Sequence, residues 1–280
     1  MNGEITFDDT VLDYVSVTEA RKLSGLRLVL GAYTIPGPWR EACKCLFDVK
    51  GIPYVPVRTA DDGAKDAELG RNSTQSELIA WTSQASAPVA IWNDERPRSA
   101  WIDQLNLAER LAPHPALVPA DIKQRMQMFA CINEIAGEQG FGWSKRNYLI
   151  HRAFEETNEG STEWEFWSVL ATKYAYTPAA GRLAIARMVE IISMLGQRLE
   201  SQIALGSRYF IGDSFSALDI YWSTFYAILD PLPPHLCPMA TDYRPSYTND
   251  NPDIAAALSP ALAAHRDFIY KTHLKLPIVF

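Results

Sequence analysis

Two short apolar runs bracketing a proline-started helix confine the front of this chain to one kind of supersecondary unit. Leu26-Arg27-Leu28-Val29-Leu30 is stopped by Gly31 and reads as a buried strand. The turn Tyr33-Thr34-Ile35-Pro36-Gly37-Pro38 follows. Pro38 suits the first position of a helix, where its missing N–H would go unpaired anyway. Trp39 to Lys50 continues that helix and Gly51 ends it. Ile52-Pro53-Tyr54-Val55-Pro56-Val57 is a second strand, and its two prolines place it near a sheet edge. Strand, helix, strand in that order requires a parallel pair with a right-handed crossover.

The pattern then changes. Asp61 to Gln75 is polar loop, Glu77 to Thr82 is ambiguous, and Ala87-Pro88-Val89-Ala90-Ile91-Trp92 is a third strand entered through a proline. After the turn Asn93-Asp94-Glu95-Arg96, any fourth strand is very short. Ser99 to Leu111 repeats apolar residues at helical spacing. Pro113 to Pro119 holds three prolines in seven residues and reads as a linker. Beyond it the candidate elements are all helices: Asp121 to Glu138, Glu163 to Thr172, Ala179 to Leu205, Ser216 to Leu229 and Pro260 to His273. Gly140-Phe141-Gly142-Trp143 reads as an interruption, and Asp230 to Pro252 as loop. The expected organisation is an extension over 1–24, an α/β domain over 25–112 and an all-helical domain over 120–280. Order is expected to begin at Leu26, with at most a short helix in Val15 to Lys22.

Composition narrows the function classes. Of 280 residues, 48% are apolar and 21% charged, enough to bury a core without disulfides or metal. The net charge of −7 argues against a nucleic-acid partner, which would want a basic face. Met1 to Ser24 has no basic and apolar leader pattern, and no run of about 18 apolar residues offers a membrane span. A cytoplasmic location with no membrane partner is the expectation. The four cysteines do not form a disulfide framework or zinc spacing; Cys43 and Cys45 are two apart on a helix, and Cys131 and Cys237 stand alone. Buried, reduced thiols are expected. His265 and His273 lack a third ligand nearby, so no metal is expected. No phosphate loop or Ser–His–Asp pattern is visible.

Four features together resemble the cytosolic glutathione transferases, over about Leu26 to His273. They are the strand–turn–helix–strand opening with an aromatic in the turn, Ala87-Pro88-Val89, Arg98-Ser99 followed by a helix containing Leu107-Ala108-Glu109-Arg110, and Gly212-Asp213-Ser214-Phe215-Ser216-Ala217-Leu218-Asp219. The last is the most specific. Ser216 with Asp219 is a capping pair, and the apolar Ile220-Tyr221-Trp222 follows. The resemblance implies a thioredoxin-like domain followed by an all-α domain, with the class within the family not assignable. It also implies glutathione as co-substrate, a homodimer, and addition of the glutathione thiolate to a small apolar electrophile, a detoxifying conjugation. The alternative on the same fold is a non-catalytic glutathione- or ligand-binding protein.

That chemistry needs a depressed thiol pKa. A free thiol titrates near ~8.5, so a thiolate dominant at pH 7 requires roughly 3 kcal/mol of selective anion stabilisation. One hydroxyl or a helix N-terminus supplies energy of that order. By the resemblance, Tyr33 falls where tyrosine-type members carry their catalytic residue, and Thr34 stands beside it in imitation of the serine type. The amides at the start of the Pro38 helix are a third source. Gly37, in Gly37-Pro38-Trp39, falls where omega-type members carry a cysteine, so the chain lacks that nucleophile. The resemblance assigns Ala87 and Pro88, through a cis bond, to the ligand backbone. It assigns Ser99 to the γ-glutamyl carboxylate. Arg98 departs from the family, which has an acid there. Arg40 and Trp39 are expected at the mouth of the cleft. Met126, Phe129 and Trp143 are candidates for the second-substrate pocket. Each of these side chains also has a plain structural reading, as core packing or a surface ion pair.

Overall fold

The computed structural model describes residues 11–31, 35–59 and 75–280. In chain order the elements are α1 (Val17–Ala20), β1 (Leu26–Val29), α2 (Pro38–Val49), β2 (Tyr54–Val57), α3 (Ser76–Thr82), β3 (Val89–Trp92) and α4 (Trp101–Leu111). They continue as α5 (Ile122–Ala136), α6 (Phe141–Glu156), α7 (Thr162–Lys173), α8 (Pro178–Ala204), α9 (Ala217–Phe225), α10 (Pro252–Ala257) and α11 (Pro260–His273). The class is the expected one: an α/β part with a mixed sheet, then helices.

The sheet order is β2-β1-β3. β1 runs parallel to β2, with Leu28 opposite Pro56, and antiparallel to β3, with Leu28 opposite Ala90. β1 is buried along its whole length, which explains its unbroken apolar sequence. β2, like β3, is an edge of this three-stranded sheet, a position its prolines suit. Pro56 has no N–H to offer, but its carbonyl accepts from the Val15 N–H at 3.0 Å. Val15 thereby bridges to Val57 in parallel. So order begins well before Leu26. Ser16 caps α1, its N–H donating to the Glu19 carboxylate at 2.9 Å while the Glu19 N–H donates to its hydroxyl at 3.2 Å. Val17 and Ala20 are buried in one cluster with Val29, Val57, Leu78, Val89 and Ile91.

Two compact units partition the chain. The first comprises residues 1–117, 230–247 and 269–280; the second comprises 118–229 and 248–268. In the first, Lys50 is the cap residue at the end of α2, and its buried ammonium donates to the carbonyls of Ala112 (2.7 Å) and Pro115 (2.8 Å), with Glu109 at 2.6 Å. In the second, α9 is buried throughout and begins at the expected cap. The Asp219 carboxylate accepts from the Ser216 N–H and hydroxyl, both at 2.8 Å, and from the Phe210 N–H at 3.0 Å. His265 Nε2 completes the set at 2.9 Å.

Two local expectations are corrected. Gly140-Phe141-Gly142-Trp143 does not interrupt a helix; it opens α6. Gly140 is the cap residue, and a Cβ there would lie 2.6 Å from the Glu134 carbonyl, so glycine is what lets α6 start against the end of α5. The stretch 230–252, read as loop, contains short 3-10 turns at Thr241–Tyr243 and Pro245–Tyr247. No helix among the described residues is long and apolar enough to cross a membrane.

Candidate functional site

Strand register brings three backbone segments together at one end of the sheet. Val29 pairs with Val89, so the residues after β1 adjoin those before β3. The segment after β1 leads through Gly31 into α2, whose first residue is Pro38 and whose cap is Gly37 in extended conformation. The segment before β3 is Ala87-Pro88, joined by a cis peptide bond. The third segment is Arg98-Ser99. Arg98 pairs antiparallel with Ala90 through two backbone hydrogen bonds of 2.9 Å, the very short fourth strand expected from the sequence. Ser99 is exposed just ahead of Ala100, the cap residue of α4.

Gln104 holds two of these segments together. Its buried side-chain amide donates to the carbonyls of Pro88 (3.3 Å), Arg98 (3.2 Å) and Ser99 (3.3 Å). The sequence reading missed this residue. A lone glutamine facing inward on the amphipathic helix of Leu105, Leu107 and Ala108 was the available signal, since a buried amide needs partners.

Arg98 is not loose in the cleft. It donates to Glu95 at 2.6 Å, and Arg110 reaches both oxygens of the same carboxylate, at 2.8 and 2.6 Å. Hydrogen bonds from Arg110 and then Arg98 hold the Glu95 carboxyl below the usual carboxylate range.

Arg40 is buried and turned inward. Its guanidinium donates to the carbonyls of Leu30, Gly31 and Ile35 and faces the Phe280 ring at 6.0 Å. It braces both ends of the turn between β1 and α2. Trp39 is half-buried at the start of α2. Tyr33 and Thr34, the expected thiol activators, lie outside the described residues, as does most of the 61–75 loop. Cys43 and Cys45 are buried on α2, and burial pushes both thiols well above the usual range. Neither is prepared as a nucleophile.

The expected second-substrate residues belong to the second unit. Met126 is 66% exposed on α5, while the core face of that helix runs through Met128, Cys131, Ile132 and Ile135. Phe129 has the Arg125 guanidinium 5.9 Å from its ring centroid. Trp143 stands edge-on to Tyr174 at 5.0 Å.

No protein-family model and no curated protein sequence matches the chain. Solved structures do. The chain is similar to a glutathione S-transferase from Methylobacillus flagellatus KT with bound GSH, at 14% identity and a TM-score of 0.55, over 88% of this chain and 95% of that one. It is similar to a beta-etherase from Sphingobium sp. strain SYK-6, at 15% identity and a TM-score of 0.54, over 87% and 99%. A bacterial maleyl pyruvate isomerase of the zeta class matches at 15% identity and a TM-score of 0.51, over 89% and 93%.

Proposed function

We propose that this chain, which has the fold of the glutathione transferases, binds glutathione in its first unit and adds the ionised thiol to a small apolar electrophile. The observation that carries this reading is the convergence of the β1–α2 turn, Ala87-Pro88 and Arg98-Ser99 at one end of the sheet. A helix start favours a thiolate, a strand-like edge suits a peptide backbone, and a hydroxyl beside a second helix start suits a carboxylate. Glutathione presents those three groups. Tyr33 and Thr34 are the proposed donors to the sulfur, with the first amides of α2 as the alternative. Ser99 is the proposed carboxylate ligand. Gln104 is the positioning residue that keeps Ser99 beside Pro88. Catalysis is then anion stabilisation plus proximity.

A non-catalytic binding protein is the second reading, and one observation favours it. Arg98 stands where the resemblance places an acid, and its charge is spent on Glu95. Titration calorimetry with glutathione tests both readings. A saturable heat at or below millimolar glutathione is expected, and no binding at that concentration overturns both. An ultraviolet thiolate band from bound glutathione at pH 7, with turnover of an aryl halide, supports the enzyme; binding with neither supports the second reading. A band that Tyr33→Phe or Thr34→Val moves to higher pH assigns the donor. A band unmoved in both variants assigns the α2 amides.

A further inference from the structure

Arg40 lies in the first turn of α2, and its buried side chain runs back toward the start of its own helix. Nε is 3.9 Å from the point that a Cβ on Gly37, the cap residue, would occupy. The guanidinium then forks. Nη1 donates to the carbonyls of Leu30 and Gly31, each at 3.4 Å, and Nη2 donates to the Ile35 carbonyl. Leu30 and Gly31 are held from the other direction too, because both their N–H groups donate to the Val57 carbonyl of β2, at 3.0 and 3.4 Å. Ile35 takes a second donor, the Gly37 N–H at 2.8 Å. The Glu41 carboxylate, 3.7 Å from Nε and 2.8 Å from the Lys44 ammonium, offsets the buried charge. One planar group therefore fixes three things relative to one another: the end of β1, Ile35 and the first turn of α2.

Those bonds all belong to the segment where the sulfur of glutathione would ionise. The segments proposed for its peptide backbone and carboxylate, Ala87-Pro88 and Ser99, are joined separately by Gln104. We propose that Arg40 is a positioning residue for the thiolate: it sets the donors at the start of α2 and governs ionisation of the sulfur, not binding of the rest of the ligand. This rests on the reading of the first unit as a glutathione site. Donors to a forming anion act only when they stand within hydrogen-bond distance of it, and a misplacement of about 1 Å costs on the order of 10²-fold in rate. Lysine is no substitute. Its donors radiate from one nitrogen, whereas the guanidinium spreads a rigid fork of donors over separate nitrogens.

Two ligands separate the sulfur from the rest of the molecule. Glutathione and S-methylglutathione, which has no thiol to ionise, are titrated by calorimetry into the parent, Arg40→Lys and Arg40→Met. Both variants are expected to bind S-methylglutathione within about threefold of the parent. The ultraviolet thiolate band of bound glutathione is expected to appear about one pH unit or more higher, and kcat with an aryl halide at pH 7 to fall about tenfold. Arg40→Lys keeps the buried charge and most of the volume, so it carries the test if Arg40→Met does not fold; near-ultraviolet circular dichroism verifies each variant. A folded variant whose band appears at the parent's pH overturns the proposal. So does one that loses S-methylglutathione as steeply as glutathione, because Arg40 would then only support the fold. A parent that binds neither peptide overturns the glutathione reading itself, and the role of Arg40 falls with it.

Discussion

At the scale of single residues, the clearest physical consequence sits on Lys145. It is buried on α6 with its ammonium 5.6 Å from the Tyr148 ring centroid, and burial lowers its pKa from the ordinary lysine value to about 8. Asp250 opposes that shift, while Arg146 and Arg152 add to it. Above pH 8 the folded chain sheds this proton before the unfolded chain does. The unfolded state then binds more protons, so this group's contribution to stability rises with pH up to the ordinary lysine range. Below pH 8 the full cost of the buried charge is present. Lys145→Met is therefore expected to stabilise the chain at pH 7, by about 2–3 kcal/mol. Urea unfolding at pH 7, 8.5 and 10 should show that gap shrinking as pH rises, and a constant gap would refute the assignment. Lysine burial of this kind was not legible beforehand. Lys145 sits in an ordinary polar stretch, and only its neighbours remove the water. Asp219 shows the converse. Its capping role is local and was legible from S-x-x-D, whereas His265, 46 residues further on, was not visible as its partner.

Between elements, glycine decides how closely α6 and α8 approach. A Cβ on Gly181 would lie 2.6 Å from His151 Cγ and 2.7 Å from its Cβ, atoms at the base of the side chain that cannot swing away. His151 is also fixed by Tyr176, whose hydroxyl lies 2.8 Å from Nδ1. Gly181→Ala sets a helix-propensity gain of up to about 1 kcal/mol against overpacking of about 1–3 kcal/mol. Net destabilisation is expected, seen as a lower urea midpoint with unchanged slope. A stabilised variant would mean that the two helices yield easily. Element identity was mostly legible, because amphipathic spacing located α4, α5, α8 and α11 closely. α6 escaped because its cap and its first turn each hold a glycine, Gly140 and Gly142, which read as a break until the close approach to α5 is known. The short α1 falls within the helix allowed over Val15 to Lys22, but that the ordered fold begins before Leu26 was not legible, because it rests on the Val15 bridge to Val57.

Across the whole molecule, the first unit draws on three separate stretches of chain. Ile278 and Phe280 are buried in it, the Leu12 N–H donates to the Phe280 carbonyl at 2.7 Å, and the Lys44 ammonium donates to the Val279 carbonyl. A fragment of residues 1–117 loses these partners and leaves α2 uncovered. It is expected to lack a native near-ultraviolet circular dichroism spectrum and to unfold without a sharp urea transition. A cooperative transition at the full chain's midpoint would show that the distant stretches add nothing. Local sequence determined the strand–helix–strand opening, the edge position of β2, the helical character of the later chain and the cap of α9. Each of these follows from the preferences of neighbouring residues for a backbone shape or a solvent-shielded face. Tertiary structure alone decided that Gln104 joins Pro88 to Ser99, that Arg40 turns inward, that Glu95 takes up Arg98, and that the last residues cover α2. Those are pairings between polar groups whose partners sequence spacing does not specify, from three residues apart for Glu95 and Arg98 to 235 for Lys44 and Val279. A side chain's need for a partner can be read from its type, but which partner it meets is set only when the core closes.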